Sequence, residues 1–531
     1  MPSDRPPIDP DASSLTGPYD LLVIGAGATG ATLALEAVRR GLSVALVDAR
    51  DIASGTSSRS TKLLHGGVRY LELAFRTLGR RQLRLVREAL AERGHWLKAV
   101  PFLAHRLELL LPTRQPLAQA YYAIGLGLYD LLAGRESIGA SRCAQAKEVQ
   151  RLLPDLAPGH SGVLYSDGQF DDARLNLLIA RTAARHGALV RPHTPVVELL
   201  QKNGRLCGAV LEAADGQRCQ VEARVVVNAA GIGADAVRRL AAPDLPSRLQ
   251  VSRGMHLVLE QALCPAGTGL LVPSTDDGRV LFMLPFFGRT LVGTTDTACP
   301  AAAAEQPSPE GEAYLLDYVR RWFPSVQSPQ VSSRWAGGRP LLLPDEAATS
   351  TAGVVREHSV ERLPCGLVSV LGGKWTTCRT MALEALAAVT AELGQTLPAP
   401  KAAPIVGSAT AAAQTTTGLA ALRQRLTETL QEQLGPAGAA GLSAHLLASH
   451  GLEAEAVLAC ASHAAEREPL SSVIPLTAAE VRHMARHEWV RDPEDVLARR
   501  CRLAFVDTAE AERLKEPVRQ LLDEEGVHAG S

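Results

Sequence analysis

The chain has 531 residues, 46% of them hydrophobic and 21% charged, with a formal net charge of -1. That length exceeds what one hydrophobic core ordinarily supports, so two or three domains are expected, and the charge balance argues against a protein built mainly to bind nucleic acid. Nine cysteines are scattered singly, with no C-x-x-C and no zinc-ligand spacing, which reads as reduced thiols in a reducing compartment and no metal site.

Residues 1–17 carry Asp4, Asp9 and Asp11 among several prolines and hold no apolar run. They are expected to be a disordered lead-in and not a secretory signal. Segment 19–41 reads strand, glycine turn, helix, and 42–48 reads as the next strand, a βαβ opening. Segment 70–100 is helix-forming and rich in arginine. Segment 117–133 is apolar apart from Gln119 and Asp130 but slightly short for a span, so it is expected to be a buried helix and the chain not to cross a membrane. Residues 174–186 read as helix. Residues 188–209 alternate like strands around an Asn203-Gly204 turn, and 223–229 is a short strand closely followed by Gly231. From 255 to 295 the pattern changes to β-hairpins, with turns at Asp277-Gly278 and Phe287-Gly288. Segment 367–371 is a strand leading through Gly372-Gly373 into a helix that runs to 393. An Ala/Pro/Thr/Ser-rich linker is expected over 396–417, and beyond it helices at 419–434 and 478–503 make a C-terminal helical domain over 418–531.

Directly after the first strand stands Gly25-Ala26-Gly27-Ala28-Thr29-Gly30. Such glycines permit a tight turn and let the backbone approach a pyrophosphate lodged at a helix N-terminus. Asp48, ending the next strand, is placed to accept a ribose hydroxyl hydrogen bond. A lone glycine motif is weak evidence; strand, helix and acid together are strong. They do not choose between NAD and FAD. Segment 54–72 (SGTSSRSTKLLHGGVRYLE) is dense in hydroxyls, glycines and bases, a composition that could wrap a flavin and its pyrophosphate. Gly372-Gly373-Lys374 is not a phosphate loop, because no upstream glycine has the required spacing and Trp375 stands where Ser or Thr is needed. As a glycine turn entering a helix, it can put positive potential from Lys374 near a flavin.

Segment 54–72 also resembles, almost residue for residue, the signature of FAD-dependent, quinone-linked glycerol-3-phosphate dehydrogenases. The same family is resembled at 166–175 (SDGQFDDARL), at Asn228-Ala229-Ala230-Gly231, at the hairpin 279–296 ending Gly293-Thr294-Thr295-Asp296, at 372–377 (GGKWTT) and at 487–491 (HEWVR). Departures are mild: Thr29 stands where Asn is usual, Asp48 for Glu, Arg253 for Lys and Gly338 for Val.

The resemblance implies an α/β fold of the amino-acid-oxidase-like flavoprotein type. Its discontinuous Rossmann-like FAD domain would take about 18–75, 160–250 and 335–395, and its β-sheet substrate domain 76–159 and 251–334. It implies FAD contacts from Gly25, Gly27, Gly30 and Asp48 at the first turn, and from Thr56, Ser57, Lys62, His65 and Gly66 in the following loop. Val196, Gly231, Gly373, Lys374, Trp375 and Thr376 would close over the cofactor. Catalytic and substrate-binding residues would be Arg69, Tyr70, His256, Arg339, Arg356 and Lys374. Arg339 and Arg356 would clamp a phosphate, since forked guanidinium groups suit it. His256 is either the proton acceptor or only a hydrogen-bond donor that positions the substrate.

The implied reaction is oxidation of glycerol 3-phosphate to dihydroxyacetone phosphate, with electrons passed from FAD to a quinone. Oxygen as acceptor, or a non-catalytic flavin-binding relative, are the other readings. The implied setting is cytoplasmic, peripheral on the inner face of the cell membrane, with a homodimer possible. Arg76, Arg80, Arg84 and Arg87 recur at helical spacing, which fits either an anionic lipid surface or a solvated face paired with Glu72, Glu88 and Glu92.

Overall fold

A computed structural model describes residues 17–67, 80–213, 215–343 and 358–527. Two large sheets organise the chain. In the first, strand Tyr19–Ile24 lies parallel between Arg218–Asn228 and Val44–Val47. Strand Leu189–Arg191 extends it on one side, and Val368–Gly372, with antiparallel His358–Arg362, on the other. The central strand reads LLVI with buried side chains throughout, as expected of a parallel strand covered on both faces. Helices Ala28–Val38, Asp172–Arg185 and Cys378–Leu393 pack on one face around Leu21, Val23, Val44 and Leu46. A meander of Val196–Lys202, Arg205–Glu212 and the start of Arg218–Asn228 covers the other, through Leu199, Leu211 and Val221. Its Asn203-Gly204 turn has both residues at positive φ, as a two-residue hairpin requires.

The second sheet has ten strands and is mainly antiparallel. Leu249–Leu259 pairs along its length with Val331–Leu342, and Leu281–Phe286 with Arg289–Gly293 about a Phe287-Gly288 turn, again both at positive φ. The expected domain boundaries at 160 and 335 cut across this sheet. Ser161–Phe170 is hydrogen-bonded to Ala104–Thr113 over ten residue pairs, and 335 falls inside Val331–Leu342. Alternating apolar patterns mark strands but not the sheet they join.

Two further expectations change. The supposed linker is docked: Lys401 N–H donates to the Arg39 carbonyl at 2.8 Å, Val406 N–H to Thr182 Oγ1 at 3.0 Å, and Ile405 and Val406 are buried. A helix already begins at Ala412, running to His450 with a break at Gly435-Pro436. The helix expected over 478–503 is instead Ala478–His487, an irregular turn at Trp489 (φ 53°), the wide helical turn Asp495–Arg500 and the short helix Leu503–Val506. Pro493 cannot donate to the preceding turn, so the helix cannot continue through it.

Helix Pro116–Ala133 is not buried as expected. Leu126, Tyr129 and Ala133 face the core, while Leu117, Tyr121, Ile124 and Leu131 are 87, 53, 68 and 74% exposed. It shares a core with helix Arg80–Ala99 through Val86, Leu90, Leu126 and Tyr129.

Candidate active site

The first glycine turn is built as the sequence demands. Gly25 has φ +108°, and a Cβ there would stand 2.6 Å from the Ala229 carbonyl oxygen; at Gly30 it would stand 1.8 Å from the Gly25 carbonyl oxygen. At Gly27 it would meet Ser57 Oγ at 3.0 Å. The Ala28 amide donates to that same Ser57 hydroxyl at 2.9 Å. The helix has no side-chain cap, and its first backbone bond runs from Ala31 to the Gly27 carbonyl, so the Thr29 and Gly30 amides point out of its positive end. Asp48 braces the turn, its Oδ2 accepting the Ala26 amide at 2.6 Å and its Oδ1 the Arg50 amide at 2.9 Å. Burial, opposed by these two amides, pushes the Asp48 carboxyl up to about 6. From the back, Asn176 Nδ2 donates to the Ala26 carbonyl at 2.8 Å.

Three other segments converge on this turn. The Thr56 hydroxyl donates to the Gly338 carbonyl at 2.5 Å, and the Trp375 indole N–H to the Ser57 carbonyl at 3.1 Å. The Ala229 amide bonds the Ile24 carbonyl at 2.8 Å, which sets Gly231 (φ +56°) just beyond the sheet edge. Gly372 and Gly373 have φ +77° and +88°, and Lys374, Trp375 and buried Thr376 follow them into helix Cys378–Leu393. His65 and Gly66 follow strand Leu63–Leu64, and the Gly66 amide bonds Tyr129. Val196 stands two residues after Thr194, whose amide bonds the Asp48 carbonyl at 2.7 Å. A glycine turn with outward amides at a helix N-terminus, an acid at the next strand end and a hydroxyl-rich loop fit a flavin dinucleotide.

The Lys62 ammonium has partners within the protein. It is 1% exposed and donates to Asp172 Oδ2 at 2.8 Å and the Ser58 carbonyl at 2.7 Å. Burial, opposed mainly by the Asp172 charge, brings it down to about 7. It holds the loop to the helix that starts at Asp172.

The second sheet contributes one face. His256 is paired with Trp335, Gly254 with Gly337 and Ser252 with Arg339, so all six residues share it. The two glycines leave a floor between the His256–Trp335 pair and the Ser252–Arg339 pair. A Cβ at Gly254 would lie 2.3 Å from Arg339 Nη2, and one at Gly337 2.7 Å from Arg59 Cβ. Arg339 donates to Thr294 Oγ1 at 2.8 Å, the Thr295 carbonyl at 3.0 Å and Asp296 Oδ1 at 3.2 Å. His256 Nε2 lies 3.0 Å from Thr61 Oγ1, and the ring stacks on Trp335 at 4.2 Å between centroids. Burial first, then the charges of Lys62 and Arg339, hold the His256 imidazole well below the usual histidine range.

Arg69, Tyr70 and Arg356 lie outside the described residues. Arg59, Thr61 and Trp335 were not singled out from sequence. Arg59 donates to the Ala336 carbonyl at 3.2 Å, and burial pulls its guanidinium below its usual range. Thr61 and Arg59 sit inside the 54–72 motif, so the signal was present; Trp335 had none beyond being a tryptophan.

Known proteins resemble this chain along most of its length. Residues 20–379 match the family model described as FAD dependent oxidoreductase, and 401–526 that of the C-terminal domain of alpha-glycerophosphate oxidase. The chain is 40% identical to mitochondrial glycerol-3-phosphate dehydrogenase of Arabidopsis thaliana, over 97% of this chain and 84% of that protein. It is 36% identical to the mitochondrial enzyme of the same name from Homo sapiens, over 99% and 73%. The solved structure of glycerol-3-phosphate dehydrogenase from Bacillus halodurans complexed with FAD matches with a TM-score of 0.75 at 28% identity, covering 96% of this chain and 90% of that one. Dinucleotide cradle, second sheet and C-terminal helices thus fall within one set of relatives, and the chain is an FAD-dependent enzyme belonging to the glycerol-3-phosphate dehydrogenase family.

Proposed function

We propose that the protein oxidises sn-glycerol 3-phosphate to dihydroxyacetone phosphate and passes the electrons to a quinone at a membrane surface. The observation that carries the reaction is Arg339 and His256 on one sheet face, separated by the Gly254–Gly337 floor, with His256 against Thr61 of the 54–72 loop. FAD, when bound, supplies the two-electron acceptor for the hydride leaving the substrate carbinol carbon. The Arg339 guanidinium offers forked donors to a phosphate, and His256 can take the hydroxyl proton because its imidazole is uncharged. By family resemblance Arg69, Tyr70, Arg356 and Lys374 join them.

The membrane reading is supported by helix Pro116–Ala133. Leu117, Tyr121, Ile124 and Leu131 recur at helical spacing on its exposed face, beside helix Arg80–Ala99 with exposed Arg84 and Arg87. Arg84 is also paired with Glu88 at 3.0 Å, while Glu92 pairs with Arg379 instead. Arg76 and Glu72 lie outside the described residues. Among the described residues no helix is long and apolar enough to cross a membrane, so the contact proposed is peripheral. The cytoplasmic side of the cell membrane and a homodimer are carried over from the family on the same terms.

Oxygen as acceptor is the second reading, favoured by the family model over 401–526, which bears the oxidase's name. Anaerobic stopped-flow reduction by glycerol 3-phosphate, followed by reoxidation with a quinone analogue or with oxygen, tests both. Fast reduction and fast quinone reoxidation are expected. Stoichiometric peroxide would transfer the assignment to an oxidase, and no bleaching by substrate would remove the catalytic reading.

A further inference from the structure

His256 is held by Thr61 and Trp335, and Trp335 in turn meets the C-terminal helices. The imidazole ring lies nearly parallel to Trp335, with an interplanar angle of 20°. Behind Trp335 stands Phe505, at 5.1 Å between centroids, from the short helix Leu503–Val506. Both aromatic side chains are buried. Three cations surround the Phe505 ring: Arg502 at 4.2 Å, Arg59 at 5.5 Å and Lys62 at 5.7 Å, and Lys62 also lies 4.5 Å from the Trp335 centroid. Arg502 in turn donates to the Ser58 carbonyl at 2.7 Å, the same oxygen that accepts from Lys62. The C-terminal helices therefore reach both the Ser58 carbonyl and the Trp335 ring that stacks on the histidine.

We propose that Trp335, backed by Phe505, is a positioning residue that fixes the His256 ring in one orientation and keeps water from its rear face. This rests on the assignment of His256 to the reaction. Nε2 is engaged with Thr61, while Nδ1 is buried with no protein partner among the described residues. A ring pinned by stacking and by Thr61 presents that free nitrogen in a constant direction. The charged groups facing the ring are Lys62, from the loop, and Arg339, from the adjacent strand. Asp172 stands behind Lys62, Asp296 behind Arg339, and Arg502 behind Asp172. With two cations nearest and a buried aromatic stack on one face, protonation of His256 is opposed. Removing the stack admits water and moves the ring toward ordinary imidazole behaviour, while Lys62 and Arg339 still hold it on the low side.

The test uses the FAD-loaded enzyme with Trp335→Leu, Trp335→Phe and Phe505→Leu, each checked for flavin content and melting temperature. Two readouts are taken: kcat/KM for glycerol 3-phosphate against pH, and the rate of diethylpyrocarbonate labelling of His256 by peptide mass mapping. In the wild type, kcat/KM is expected to carry no limb from His256 between pH 6 and 8, and His256 to resist labelling. In Trp335→Leu an acid limb absent from the wild type is expected, its midpoint under about 6.5 because Lys62 and Arg339 remain, lowering kcat/KM about tenfold one unit below that midpoint, with recovery at higher pH and fast labelling. Trp335→Phe is expected to behave as the wild type, and Phe505→Leu to fall between. A uniform loss at every pH with His256 still protected would overturn the proposal, as would an unchanged profile. If the wild type failed to oxidise glycerol 3-phosphate at all, the substrate assignment would fall while the labelling arm still tested the stack.

Discussion

The Tyr129 hydroxyl accepts the Gly66 amide at 2.6 Å and donates to Asp167 Oδ1 at 2.8 Å, tying the helix with the exposed apolar face to the flavin loop. Arg93 completes the cluster, donating to the same Asp167 oxygen at 2.8 Å. All of these side chains are buried. Tyr129→Phe leaves an amide and part of a carboxylate without their partner, which costs about 1–3 kcal/mol. A lower melting temperature of the holoprotein and weaker flavin retention are expected. An unchanged melting temperature would mean that another group replaces the phenol.

Gly30→Ala places a methyl 1.8 Å from the Gly25 carbonyl oxygen, which cannot be accommodated without opening the turn. Gly27→Val puts bulk against Ser57 Oγ, the acceptor of the Ala28 amide. Both variants are expected to purify colourless, judged by flavin absorbance per chain. Full occupancy in either would place the dinucleotide elsewhere.

Arg339→Ala is expected to lower kcat/KM for glycerol 3-phosphate at least roughly tenfold, since a hydrogen bond to a charged group contributes about 1.5–3 kcal/mol. Unphosphorylated glycerol should be a poor substrate of the wild type and lose little more in the variant. Equal rates with the two substrates would remove the phosphate clamp.

Acid sensitivity follows from buried histidines. His450 and His483 sit with Arg174 and Glu488 between the C-terminal helices and helix Asp172–Arg185. Burial lowers both imidazoles, His483 well below its usual value, and it lowers His95 to about 4. A histidine whose folded pKa is depressed adds stability that is complete above about 6.5 and is lost as pH falls toward the folded value. Asp48 and Asp167, both raised to about 6, act in the opposite sense, since the folded state takes up their protons first. Glu488 enters only at lower pH: burial would raise it, but Arg174 and Arg181 bring it well below the usual carboxylate range. Urea midpoints should therefore fall between pH 7 and 5, and fall less in His483→Gln. A midpoint rising over that interval would show that the carboxylates dominate.

Leu117, Ile124 and Leu131 changed together to serine should abolish sedimentation with anionic liposomes, leaving turnover with a soluble electron acceptor intact. Changing Arg84 and Arg87 to glutamate should weaken sedimentation in a salt-dependent way. Wild-type protein that stays in the supernatant would sink the lipid contact; equal pelleting of all variants would move it to another surface.

The sequence by itself determined the dinucleotide turn and the hairpins, because these depend on local demands that few residue types meet. Gly25 and Gly30 have no room for a side chain, and Asn203-Gly204 and Phe287-Gly288 occupy turns with both residues at positive φ. It also contained the 54–72 loop and His256, which the structure brings together through Thr61. Only the tertiary structure decided what stands behind them. The Lys62 ammonium is paired with Asp172; 117–133 looked buried and is apolar on its solvent face; 396–417 looked like a linker and is docked. Trp335, Phe505 and Arg502 were silent, since residues far apart in the chain meet only when the second sheet and the C-terminal helices pack. Local conformation is written in adjacent residues, whereas a side chain's partner is set by which surfaces the whole chain brings together.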